Sequence, residues 1–229
     1  MIKVLGLVER RPDLELDAFR LHWRTIHRGL ALRLAHAGLL RGYVQNHRLA
    51  IEVDGLEPFA DGVPELWFDD VDALNGMRDS PAFRDGAFHD GPRFMRVDDY
   101  QSLLLQPEAD VAASSRRECA GLLKCMVILS ENELGDLTGG GDSPVFGKAE
   151  MVRRSYQFAA RETAAIAIRS CAAIETSWWA DLPSFLHYWS RRRLAKVSGI
   201  LVEERPVFWP GEVPPPADWS PVDLSARQS

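Results

Sequence analysis

Histidine has no hydrophobic reason to share a helix face with large apolar side chains, yet His27 reads that way. In the stretch Leu16-Asp17-Ala18-Phe19-Arg20-Leu21-His22-Trp23-Arg24-Thr25-Ile26-His27-Arg28-Gly29-Leu30, the residues Phe19, Trp23, His27 and Leu30 recur at helical spacing on one face. An imidazole between such aromatics is a competent general acid or base. The plain alternative is a structural histidine bonded to a strand carbonyl. His22, about 100° round the helix from Trp23, reads as a surface residue. Tyr43, Gln45 and His47 fall on one face of the next extended run, with Asn46 on the other. Three polar groups on one strand face are costly to bury without partners, so that face is wet or lines a polar cavity. The candidate catalytic set is therefore His27 as acid/base, with Tyr43 and His47 to orient or polarise a substrate oxygen. Phe19, Trp23, Gln45, Asn46 and Trp67 make up the candidate substrate wall. Asp69 and Asp70 read as a helix cap rather than a catalytic pair, and His89-Asp90 as an exposed loop. Trp178-Trp179 reads as a core anchor, and Cys125 as inert packing in a strand.

The elements that must carry these residues follow in order. Ile2 to Val8 is β-rich, Asp13 to His36 has helical spacing, and Tyr43 to Val53 is extended. Glu65 to Asp69 is a short aromatic strand, Val71 to Asp79 a second helix, and Asp98 to Leu105 a fourth strand. This β-α-β-β-α-β order is the ferredoxin-like pattern. After a small, polar linker at 107–118 the order repeats. Trp67-Phe68-Asp69-Asp70 aligns with Trp178-Trp179-Ala180-Asp181 at an offset of 111 residues. Leu122 to Leu129 is expected as the first strand of the repeat, Ala164 to Arg169 as its second and Ser198 to Glu203 as its fourth. Met151 to Arg161, with Tyr156 and Phe158, takes the helix position. Gly139 to Pro144 reads as a loop. From Pro206 the chain is Pro-rich and expected to lie extended, pinned by Trp209 and Trp219. The expected fold class is α+β: two tandem ferredoxin-like units packed as an internally fused barrel, spanning 1–106 and 119–209 with a tail at 210–229. Sheets left bare on one face would bury those faces against each other.

Composition narrows the function classes. The 229 residues hold 27 Lys plus Arg against 33 Asp plus Glu, a net charge of −6, which argues against nucleic acid as a partner. Cys119, Cys125 and Cys171 are too few and too scattered for a disulfide framework or a Cys-based zinc site. The N-terminus lacks a signal-like apolar run and no long apolar span occurs, so a cytoplasmic protein without membrane association is expected. Dinucleotide, phosphate-loop, zinc-protease and serine-elbow motifs are missing from the sequence, so no cofactor and no metal are expected.

The Phe19–Trp23–His27 spacing resembles the first-helix signature of EthD-domain proteins, in the dimeric α+β barrel superfamily. Gly42-Tyr43-Val44-Gln45-Asn46-His47, Glu65-Leu66-Trp67-Phe68-Asp69-Asp70 and Ser80-Pro81-Ala82-Phe83 match further pieces in order. The resemblance covers residues 1–106 and is weak over 119–209. It implies the fold and a neighbourhood of functions, since fold does not fix function. The expectation drawn from it and from the site is a cofactor-independent lyase, cyclase or isomerase acting on a small hydrophobic or aromatic molecule. The alternative is a non-enzymatic EthD-type accessory or small-molecule-binding protein. A cofactor-free monooxygenase and a haem-binding enzyme with His27 as axial ligand rank lower. The pocket is placed in the N-terminal half, with association into a homodimer through helices or strand edges left uncovered.

Overall fold

In a computed structural model of the chain, residues 1–98, 100–106, 119–133, 151–159, 171–191 and 196–217 are described. Nine strands form one antiparallel sheet system: β1 (Ile2–Leu7), β2 (Gly42–Arg48), β3 (Leu56–Glu57), β4 (Gly62–Phe68), β5 (Gln101–Leu105), β6 (Leu123–Leu129), β7 (Met151–Phe158), β8 (Ala173–Trp179) and β9 (Val197–Phe208). The path is β5-β1-β4-β2-β9-β6-β8-β7, with the short β3 pairing in parallel with β9. Leaving β3 aside, each half orders its own strands 4-1-3-2, the ferredoxin-like order. The halves join where β2 lies against β9. At the other end of the path, Gln106 N–H donates to the Phe158 carbonyl at 3.0 Å and Leu105 bridges Ala159. The sheet is thus a nearly closed barrel.

Strand alternation divides the core in two. Ile2, Val4, Tyr43 and Phe68 point outward, under the helices α1 (Leu16–His22), α2 (Arg28–His36) and α3 (Val71–Asp79), where they pack on Leu32, Leu34, Leu74 and Met77. Leu5, Leu7, Val63, Leu103, Met126, Ile128, Ile200 and Val202 point inward and fill the barrel. On the far half, α4 (Leu182–Trp189) packs Phe185, Tyr188 and Trp189 on Trp179, Cys125 and Val127. Asp70 caps α3 by accepting from Ala73 N–H, and Asp181 caps α4 by accepting from Ser184 N–H, 111 residues later. Pro183 sits in the first turn of α4, where its missing N–H costs nothing.

Three expectations are corrected. Met151–Phe158 is the strand β7, not a helix: its residues pair one to one with β8 from Arg153 to Phe158. Period two therefore wins over the aromatic spacing at Tyr156 and Phe158. The second strand expected at 164–169 falls outside the described residues, as do the linker at 107–118, the loop at 139–144 and Trp219. Finally, the last strand runs on through Pro206 to Phe208. Beyond Val202 it is paired only with β2, and a register shift at Tyr43/Val44 sets Pro206 opposite Val44. Trp209 is buried against Val44 and Trp67 at one end of the barrel.

Candidate functional site

The first long helix is not uniformly α. Between α1 and α2, Trp23–His27 form a π-turn, closed by hydrogen bonds over five residues. The Thr25 hydroxyl donates to the Leu21 carbonyl at 2.6 Å, satisfying an acceptor on the widened turn. In a regular α-helix, residues five apart diverge; in a π-turn they stack. His22 and His27 consequently come to one side.

Both imidazoles meet one carboxylate there. His27 Nδ1 lies 3.0 Å from Asp90 Oδ2, and His22 Nε2 lies 3.0 Å from both Asp90 oxygens. Phe94, fully buried, stacks on His22 at 5.0 Å and packs against His27 at 4.8 Å. Asp90 itself is 3% exposed, so the exposed-loop reading of His89-Asp90 is corrected, and His22 is a member of the cluster instead of a surface residue. Burial alone would raise the Asp90 carboxyl, but the hydrogen bonds from His27 and His22 outweigh it and hold it below the usual carboxylate value. As a carboxylate it accepts, so His27 donates from Nδ1 and keeps the lone pair on Nε2. The carboxylate orients the ring and stabilises its protonated form, the arrangement a general base requires. Sequence reasoning missed His22, Asp90 and Phe94. The available signal was the five-residue spacing of the two histidines, which matters only once the helix widens.

The other predicted residues form a separate network under Trp23. Trp23 Nε1 donates to the Tyr43 hydroxyl at 2.9 Å; Gln45 Nε2 donates to that hydroxyl at 2.8 Å and to the Trp23 carbonyl at 3.0 Å. This leaves Gln45 Oε1 to accept from His47 Nε2 at 3.0 Å, which fixes the His47 tautomer. Trp23 also packs on His47 at 4.5 Å and on Phe19 at 5.6 Å. A Cβ on Gly62 would stand 2.2 Å from the Trp23 ring, so glycine there admits the indole. Burial pushes the Tyr43 phenol up. Burial, with Arg205, Arg20 and Arg24 nearby, pushes His47 down to about 3. Both groups stay neutral, and neither shares a hydrogen bond with His27. The structure therefore brings Phe19, Trp23, Tyr43, Gln45 and His47 together and sets His27 beside them, with Asp90.

Asn46 and Trp67 lie on the opposite face of the sheet, inside the barrel, so they cannot wall the same site. Asn46 Nδ2 donates to Glu65 Oε1 and to the Val63 carbonyl, each at 2.9 Å. Glu65 is buried among charges: Lys3 pairs with it, as does Lys124 at 2.5 Å, and Lys124 also pairs with Glu204. Lys3 and Lys124 are equivalent residues of the two halves, standing opposite Trp67 and Trp178. Burial would raise Glu65, but the two ammonium groups dominate and hold it far below the carboxylate range. Burial would lower Lys124, but Glu204 and Glu65 push it up to about 12. Among the described residues, no cluster of three or more His, Cys, Asp or Glu is arranged to hold a metal ion, and no helix is long and apolar enough to cross a membrane.

Comparison with known proteins agrees with this architecture. The family model described as the EthD domain matches residues 11–98. An anthrone oxidase-like protein of known structure superposes with a TM-score of 0.58 at 9% identity, over 92% of this chain and 94% of that one. A mutant chlorite dismutase from Candidatus Nitrospira defluvii, in complex with cyanide, gives 0.46 at 10% identity over 90% of each chain. At these identities the likeness is one of fold. Among curated proteins, none matches the sequence.

Proposed function

Since residues 11–98 are an EthD domain on a nearly closed α+β barrel, we propose that the protein is a cofactor-independent enzyme whose His27 moves a proton on a small, oxygenated aromatic molecule. The observation that carries this reading is the Asp90-held imidazole, with Nδ1 engaged at 3.0 Å and Nε2 left to accept. A suitable substrate is a weak carbon acid: a C–H beside an aryl ketone, of which anthrone is an example. His27 Nε2 takes the proton, the C–H electron pair becomes an enolate, and Asp90 stabilises the imidazolium. Return of the proton to another atom is isomerisation, loss of a β-leaving group is elimination, and attack on an internal carbonyl is cyclisation. Reaction of the enolate with oxygen is the monooxygenase variant.

The test uses anthrone in deuterated buffer, with methylene exchange followed by NMR and dissolved oxygen followed by electrode. Catalysed exchange is expected in the unmodified protein and a loss of ~10²–10⁴-fold in His27→Ala. Asp90→Asn, which keeps shape but removes the charge, should fall between them. Full exchange by a folded His27→Ala variant overturns the assignment, and oxygen uptake tied to exchange selects the variant chemistry. A Soret band after haem addition would favour the axial-ligand reading.

A second reading, an accessory or binding protein without turnover, is favoured by one feature. Leu21, Ile26 and Phe88 are large apolar side chains exposed by 42%, 51% and 65%. Leu21 and Ile26 are five apart across the same π-turn, so they share a face as His22 and His27 do. Anthrone binding without exchange, together with capture of a second protein, would support it.

A further inference from the structure

We infer that the barrel interior is a binding site for one small monovalent anion of halide size, independent of the His27 chemistry. The barrel encloses a cavity of about 20 Å³, lined by Lys3, Glu65, Lys124, Arg153, Glu204 and the indoles of Trp67, Trp178 and Trp209. That volume takes one water-sized or halide-sized particle.

Two observations favour the ion. The first is charge: the described lining residues bring three cations, Lys3, Lys124 and Arg153, and two carboxylates, Glu65 and Glu204. A monoanion brings the group to neutrality, which matters in a low-dielectric interior. The second is a surplus of donors. Trp178 Nε1 and Gln157 Nε2 are buried, and no acceptor meets either of them among the described residues. Gln157 is 4% exposed, and its other amide atom, Oε1, is already taken by Lys3 Nζ at 2.7 Å. Each lysine spends two N–H groups on the contacts given for it, Lys3 on Gln157 and Glu65, Lys124 on Glu65 and Glu204, and so retains a third. Both oxygens of Glu65 are engaged by these ammonium groups. Acceptors are what the site lacks, and an anion is an acceptor with no proton to place. The Trp178 ring holds Lys124 Nζ at 5.3 Å and the Arg153 guanidinium at 5.5 Å from its centre, which keeps its N–H edge beside the charged groups.

Bromide is the probe, because it is a heavy-atom quencher of indole emission and an anomalous scatterer. The full chain is exchanged into sodium gluconate and titrated with sodium bromide at constant ionic strength. Tryptophan emission should fall along a saturable curve, and Trp178→Phe, which keeps the ring and removes the donor, should weaken the half-saturation at least fivefold. Crystals grown in bromide should show one anomalous peak within hydrogen-bond distance of Trp178 Nε1. Strictly linear quenching, identical in the Trp178→Phe variant, overturns the proposal. Should that variant fail to fold, the crystal of the unmodified protein decides: a bromide peak supports the site, and a water in its place overturns it.

Discussion

Replacing Glu65 by glutamine removes the one carboxylate that serves both halves of the barrel. Glu65 faces Lys3 and Lys124, and each such pair is worth ~4 kcal/mol at a separation of ~4 Å and an effective dielectric of ~20. Part of that gross gain is offset, because the carboxylate no longer has to be desolvated, a cost of several kcal/mol per buried ion. Breaking one member of a buried ionic group leaves a net loss of about 3–5 kcal/mol, a large share of the ~5–15 kcal/mol that holds a domain together. The two lysines are not left equally exposed to it: Lys124 keeps Glu204, whereas Lys3 keeps only the neutral Gln157 and the Trp67 ring at 5.0 Å. Lys3→Met in the Glu65→Gln background should therefore restore part of the stability. Urea unfolding followed by far-UV dichroism reads both, with the midpoint falling by ~1–2 M at unchanged slope for the single variant. The pH dependence has a definite sign. Glu65 is held below its unfolded value, so its contribution is present above about pH 4.5 and lost as acid is added. Lys124 is raised to about 12, so its contribution is full below about 10.5 and lost as pH climbs through 12. Glu65→Gln should lose the acid limb alone. A loss under about 1 kcal/mol, or further destabilisation by Lys3→Met, would refute the reasoning.

Two other outcomes are expected. His47, pushed down to about 3, takes up a proton in the unfolded chain near pH 6.5 but not in the folded one, so stability falls with acid across that window. His47→Asn should flatten the slope between pH 6 and 4 by up to ~1.4 kcal/mol per unit, and an unchanged slope in a pH series of urea midpoints would contradict this. Gly62→Ala sets a methyl against the Trp23 ring and should cost about 1–3 kcal/mol, with altered near-UV dichroism from the displaced indole.

The fold was readable because its signals are local. Asp70 and Asp181 cap equivalent helices at equivalent distances behind the Trp67 and Trp178 strands, and alternation in β1 and β2 assigns the faces. Tyr43, Gln45 and His47 on one strand face were legible for the same reason, and the structure does bury them as a polar network. What escaped depends on departures from regular periods. A 3.6-residue reading sends His22 and His27 to different sides, and only the π-turn reunites them over Asp90. Asp90 sits among small loop residues with no pattern of its own, so its burial follows from Phe94 and the helix above it. Asn46 and Trp67 carried no mark of sidedness relative to His27, because a strand face is inside or outside only after the barrel closes.

The position of β9 has a consequence for synthesis. It is nearly the last element made, yet it sits in the middle of the sheet path, between β2 and β6, with partners roughly 155 residues away in sequence. While the ribosome is still translating, the N-terminal half can assemble its four strands, but the outer edge of β2 presents unsatisfied N–H and C=O groups. The nascent protein is therefore an open sheet for most of its time on the ribosome and becomes a barrel only on release, when a single twelve-residue strand zips both halves at once. Cells that make it fast or truncate it near its end would accumulate a species with a bare edge, and recovery from inclusion bodies should depend more on residues 197–208 than on any equal stretch of the N-terminal half.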